Sequence, residues 1–240
     1  MPPAASTSAQ GAATRLLILG CVRIFQPVHG YFLRRELVSW EVDDWAHVHP
    51  GSIYHALKSL TRDGLLEEVP APAGSPRPTR TLYRLTADGE QDFLTLLRAG
   101  LLTLDDPVLF LTAITMAPAL SRSEVLAAVE RRAALLEEVA ALRERMVEAV
   151  LRSPETPDMA SEVPRVLLAR TRAELDWAHD YLRRVRAGAY AFDGEPADWT
   201  PTPEQVDAVL VAGVGPGAAP GTRRSGAATD GTDPTEPQDT

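Results

Sequence analysis

Apolar residues recur along this chain at helical spacing in most segments and at strand spacing in one. Residues 14–25 are almost continuously apolar (Leu16, Leu17, Ile18, Leu19, Val22, Ile24) and predict a first helix buried around most of its circumference, closed by Pro27. Residues 29–40 predict a second helix, with Leu33, Leu37 and Trp40 inward and Arg34 and Arg35 outward; the polar connection 41–48 holds Trp45 as a plug for the small core. A third helix opens at Pro50 and reaches Leu65. There Ile53, Leu57 and Leu60 form one face, with Ala56 at its margin, while Tyr54, His55, Lys58, Ser59 and Arg62 form the opposite arc. Asp63-Gly64 ends it, since glycine takes the left-handed conformation at a helix C-terminus cheaply. Residues 65–69 and 81–85 then predict two strands around a proline-rich tip bearing Arg77 and Arg80.

Helix, helix, hairpin and basic tip in that order describe a winged helix-turn-helix. In that arrangement the third helix enters a major groove and the tip reaches the adjacent phosphates. Taken alone, the third helix would pass for an ordinary amphipathic surface helix; the hairpin and basic tip after it make the difference.

The second half of the chain is helical. Thr86 suits the N-cap of a helix to Gly100, and Asp105-Asp106-Pro107 opens a shorter one through Met116. Ser121-Arg122-Ser123-Glu124 is a capping box before about 30 helical residues, whose apolar positions are Val125, Val129, Ala133, Leu136, Ala140, Val147 and Val150, with Arg143 interrupting the stripe. Pro154 and Pro157 break that helix. Another starts near Pro164 and ends at Gly188, carrying Leu167, Leu175, Ala178, Leu182 and Val185, with Arg170/Glu174, Arg172/Asp176 and Asp180/Arg184 spaced for charge pairs. A two-helix hairpin is too thin to bury both apolar faces alone. A second copy of the chain is its natural cover, and packing against the first domain is the competing reading.

The expected fold class is therefore mainly α: an N-terminal winged helix-turn-helix with a small β-hairpin wing, plus a C-terminal long-helix dimerisation domain. The corresponding divisions are a disordered arm at 1–13, a DNA-binding domain at 14–103, a helical dimerisation and effector domain at 104–212, and a disordered tail at 213–240. Residues 204–211 have the pattern of one more short helix, beside Trp199.

Composition changes this picture little. No run of 18 apolar residues occurs, so no membrane span is expected. No secretory pattern precedes the first helix, and the single cysteine, Cys21, sits in an apolar run, as a buried thiol in a reducing cytoplasm would. Charge matters more. The net charge of −9 looks wrong for a DNA-binding protein, yet residues 1–103 hold ten basic and ten acidic side chains, and residues 104–240 hold 14 basic and 23 acidic. DNA affinity depends on the charge presented locally, so an acidic second half is compatible with modest, salt-sensitive binding.

Catalytic chemistry finds no support. There is no nucleophile elbow, phosphate loop, cofactor fingerprint or metal motif, and His47, His49 and His55 lack acidic or thiolate partners at ligand spacing. No enzyme activity, cofactor or metal is expected.

His29-Gly30-Tyr31, the run from Pro50 to Leu60, Gly64-Leu65, and Tyr83-Arg84-Leu85-Thr86-Ala87-Asp88-Gly89 together resemble the PadR-type transcriptional regulators. The resemblance spans about residues 14–100. It implies a dimeric winged-helix repressor, released from DNA by a small aromatic or amphiphilic molecule, with Tyr31, Ser52, Tyr54, His55 and Lys58 near DNA and Arg77 and Arg80 in the wing. Arg62, nearer the helix end, joins them on the residue reading. Two departures stand out: the family commonly has proline where His55 stands, and this wing is unusually rich in proline. Trp177 and Tyr181, one turn apart on the last long helix, are the candidates for effector contact, against the commoner alternative of core packing. The functional expectation is a cytoplasmic homodimer that binds a palindromic double-stranded operator. The rival is a protein-interaction adaptor that uses the winged surface without sequence-specific DNA binding, motivated by the acidic second half.

Overall fold

The computed structural model of the chain describes residues 9–70 and 81–196. Its N-terminal region is built around α1 (Ala9–Phe25), in which Leu16, Leu17, Ile18, Leu19, Cys21 and Val22 are fully buried, as their continuous run requires. The helix begins at Ala9, ahead of Thr14, and so takes in residues expected to belong to an arm. Two ion pairs clamp its polar edge to α5 (Ala87–Leu102): Arg15–Asp92 at 2.6 Å and Arg23–Glu90 at 2.8 Å.

Around α1 lie α2 (Gly30–Ser39), α3 (Val42–Trp45) and α4 (Pro50–Arg62). Phe32, Leu33, Leu37, Ile53 and Leu57 close the small core between them. α3 falls in a stretch expected to be an irregular connection. Its Trp45 is half-buried and donates its indole N–H to Trp40 O at 2.8 Å, which satisfies the polar end of a core-plugging ring. Gly64 adopts φ +76° directly after α4, as the sequence predicts.

The sheet has three antiparallel strands in the order β1-β3-β2, with β1 at Val28–His29, β2 at Leu66–Val69 and β3 at Leu82–Leu85. β2 and β3 form the expected hairpin, with Leu66 opposite Leu85 and Val69 opposite Leu82. β1 is an addition. It is two residues long and exists because β3 offers a second edge: Val28 pairs with Tyr83, and His29 Nδ1 lies 3.1 Å from Thr81 O. α2 therefore starts at Gly30, one residue later than expected.

Thr86 caps α5 by accepting from Gly89 N at 3.0 Å, and Asp106 caps α6 (Pro107–Met116) by accepting from Leu109 N at 2.9 Å. α7 (Arg122–Arg152) is 31 residues long and opens with the predicted capping box. α8 (Glu162–Arg186) packs back along it. The apolar stripe of α7 is buried only from Val125 to Ala140, where α5 and α8 cover it; Val147 and Val150, expected on the buried stripe, are half-exposed. On α8 the buried line runs through Leu168, Thr171, Ala178, Tyr181, Leu182 and Val185, whereas Leu167 is exposed and Leu175 half-buried. Of the three local charge pairs, Asp180–Arg184 forms. Glu174 turns instead to Arg132, and Arg172 reaches Glu144 at 2.6 Å, because each finds its partner across the hairpin. Arg143, read as a flaw in the stripe, is used: its guanidinium donates to Leu167 O at 2.7 Å and to Thr171 Oγ1.

Arg132 is the largest fully buried side chain. It donates to Glu174 and to Leu101 O and Thr103 O at the end of α5, and lies 3.5 Å from the Phe110 ring centroid. Beyond α8 the chain folds back on the α6–α7 corner, where Arg122 meets Glu195 at 2.7 Å, Asp193 N donates to Leu120 O at 3.1 Å, and Phe192 is buried.

Candidate nucleic-acid interface

α4 carries its polar arc outward. Pro50 occupies the first turn, where its missing N–H costs nothing. Ser52 Oγ donates to His49 O at 2.7 Å, so this hydroxyl ties the start of the helix while its residue remains exposed. Ile53, Leu57 and Leu60 anchor the opposite face, and His55 and Lys58 are exposed. Tyr54 is 41% exposed and Tyr31, at the start of α2, 46%.

The two helices meet at Gly30. A methyl group placed there would stand 3.0 Å from Leu57 Cδ1 and 3.1 Å from Tyr54 Cε1, so this contact depends on the missing side chain. Gly30 thus seats Tyr54 beside the first turn of α2. Tyr83 on β3 lies close enough to Tyr54 for their phenols to interact; burial first, then Glu68 and Tyr54, push the Tyr83 hydroxyl above its ordinary range. Tyr83 of the wing strand and Tyr54 of α4 therefore lie near each other where the two elements meet. In the sequence Tyr83 stands out only as part of a motif, and β-strand alternation is the signal that points it to this face.

Charge on this surface is selective. In the winged region Arg15, Arg23, Arg35, Arg62, Arg84 and Arg98 are each committed to a carboxylate. Arg62, one of the expected contacts, is held by Asp63 and donates to Ser59 Oγ at 2.8 Å. Among the described residues of this region, Lys58 and Arg34 alone are cationic side chains with neither an ion pair nor a hydrogen bond. Tyr31, Ser52, Tyr54, His55 and Lys58 thus lie on exposed positions of α2 and α4; Arg77 and Arg80 fall outside the described residues.

Trp177 and Tyr181 are far along the chain from this surface and stack with centroids 5.1 Å apart. Phe110 meets Trp177 edge-on at 5.4 Å, and Tyr190 stacks on Tyr181 at 5.7 Å. Tyr181 is buried and its hydroxyl is pushed up to about 12, mainly by burial; Trp177 is half-buried. Among the described residues there is no cluster of three or more metal-ligating side chains, and no helix is long and apolar enough to cross a membrane.

A three-helix core, a recognition-type helix with an exposed polar arc and an antiparallel wing define a winged helix-turn-helix domain. Residues 18–94 match the family described as transcriptional regulator PadR-like, and this region folds as a winged helix. Among solved structures the chain is similar to Bacillus subtilis PadR in complex with operator DNA, at 19% identity over 71% of this chain and 98% of that one, with a TM-score of 0.30. No curated protein matches.

Proposed function

We propose that this protein is a homodimeric DNA-binding transcription repressor, released from its operator by a small aromatic or amphiphilic molecule. The observation that carries the DNA-binding part is the exposed arc of α4, anchored by Ile53, Leu57 and Leu60 and presenting Tyr54, His55 and the unpaired Lys58, in a region matched to transcriptional regulators. Two such helices related by a two-fold axis would enter successive major grooves of a palindromic site. Support for self-association comes from the outer half of the α7–α8 hairpin, where Leu142 (51%), Met146 (50%), Met159 (77%) and Val163 (69%) stand in solvent. An effector would act at the Phe110–Trp177–Tyr181–Tyr190 stack, which adjoins the joint between the winged region and the hairpin.

The test is a gel-shift titration of the full chain against DNA from its own promoter region at low salt, followed by competition with unrelated duplex. A retarded species that resists competition is expected. Absence of any retarded species would end the reading and favour an adaptor that docks protein partners instead.

A further inference from the structure

We infer that Arg34, on α2, is a second phosphate anchor, so that the DNA backbone passes over the joint between α2 and α4 and is gripped from both helices. This rests on the DNA-binding reading above and adds a contact that the recognition helix does not supply. Three observations carry it.

The first is charge. A cation already held by a carboxylate must give up that pair to neutralise a phosphate, and only the surplus appears as affinity. Among the described residues of the winged region that exchange faces every cation except Lys58 and Arg34.

The second is position. Gly30 marks where α2 touches α4, and Arg34 lies one turn further along the same edge of α2. Tyr31, exposed three residues before Arg34, borders the same edge, and Tyr54 and Lys58, one turn apart on α4, run along the side that meets Gly30. The exposed Tyr31, Tyr54 and Lys58 and the half-buried Arg34 therefore border one surface, made of two hydroxyls and two unpaired cations, the donor set that phosphate oxygens accept from.

The third is contrast with the next residue. Arg35 folds over Phe32, 4.9 Å from the ring centroid, and bonds Glu36 at 3.3 Å, so it serves the core. Adjacent arginines thus have separable roles.

The experiment is a salt titration of affinity for a mixed-sequence DNA duplex, since a phosphate contact needs no particular sequence. Each phosphate contact contributes about 0.9 to the slope of log K against log salt. Arg34→Gln and Lys58→Gln are each expected to weaken binding several-fold and to reduce the magnitude of the slope by about one. The double variant should lose about two, with melting temperature unchanged. Arg98→Gln, which removes an equal charge engaged by Glu124, should leave the slope as it was. If Lys58→Gln lowers the slope and Arg34→Gln does not, the inference falls while the DNA-binding reading stands. If the parent protein shows no salt-dependent binding, both fall. Modification of the unaltered protein with phenylglyoxal, mapped by mass spectrometry, gives an answer that does not depend on any variant folding. Arg34 should be protected by duplex DNA, and equal labelling with and without DNA would overturn the proposal.

Discussion

Glu36 shows how one side chain can oppose the fold that contains it. Its carboxylate is fully buried on α2, with Arg35 on one oxygen and no partner on Oε2. Burial, only partly offset by Arg35, raises its carboxyl above the ordinary range. A raised folded value means that the group favours folding while protonated. Its contribution is complete below the unfolded value of about 4.3 and is lost as pH rises through the folded one. Glu36→Gln should therefore be more stable than the parent at pH 7–8, by on the order of 1 kcal/mol, with the difference shrinking towards pH 4.5. Thermal melts across that range measure it, and a variant less stable at pH 8 would show that the Arg35 pair outweighs the burial cost. Gly51 gives a prediction of the opposite kind. It sits in the first turn of α4, and a methyl group there would meet nothing within 4 Å. In the free protein, Gly51→Ala should be neutral or stabilising by up to about 1 kcal/mol, because it removes unfolded-state freedom. If that turn approaches DNA as proposed, the same change should weaken binding, so stability and affinity would move in opposite directions.

At the scale of elements, most helices were legible because their signals are local. The 3.6-residue stripe of α4, the Thr86 and Asp106 caps and the capping box at Ser121 each depend on residues within one or two turns. β1 and α3 were not legible. A two-residue strand has no periodicity to detect and forms only because β3 has a free edge, and α3 is a single turn set by the left-handed backbone at Glu41. Charge partners failed for the same reason: spacing on one helix suggested Arg170/Glu174, while the structure joins Glu174 to Arg132 on the neighbouring helix. Arg132 itself sits between Val129, Ala133 and Leu136 on the buried stripe, and that position is the sequence sign that it is a core residue. It ties three elements together, since it binds the carbonyls that end α5, covers Phe110 of α6 and pairs with α8. Arg132→Ala should cost about 3 kcal/mol, because it leaves two carbonyls and Glu174 without their donor as well as a void. Chemical denaturation measures this, and a cost below about 1 kcal/mol would mean that water replaces the guanidinium.

For the whole molecule, the division of the hairpin into two halves decides what it can do. The half near the winged region is consumed by the fold: Val125, Val129, Ala133 and Leu136 are buried and α7 packs on α5, which is the competing reading, packing on the first domain, rather than cover by a second copy. The outer half is not. Arg143 reaching Leu167 O puts Leu142 and Met146 of α7 level with Val163, Val166 and Leu167 of α8, and all five are exposed. Arg172–Glu144 joins the two helices at this level, and the apolar area exposed there is the surface that the proposed dimer would cover. In a dimer, binding of one half-site raises the effective concentration of the second winged domain into the millimolar range. Met146→Glu with Val163→Glu should therefore have two linked consequences. Sedimentation should report a monomer whose melting temperature is close to that of the parent, since neither side chain belongs to the core. Affinity for a two-half-site duplex should fall at least about a hundredfold, while affinity for a single half-site stays the same. If the charged variant still sediments as a dimer, self-association uses another face. If it is monomeric yet binds the full site unchanged, the two recognition helices act independently and the hairpin has no part in reading DNA.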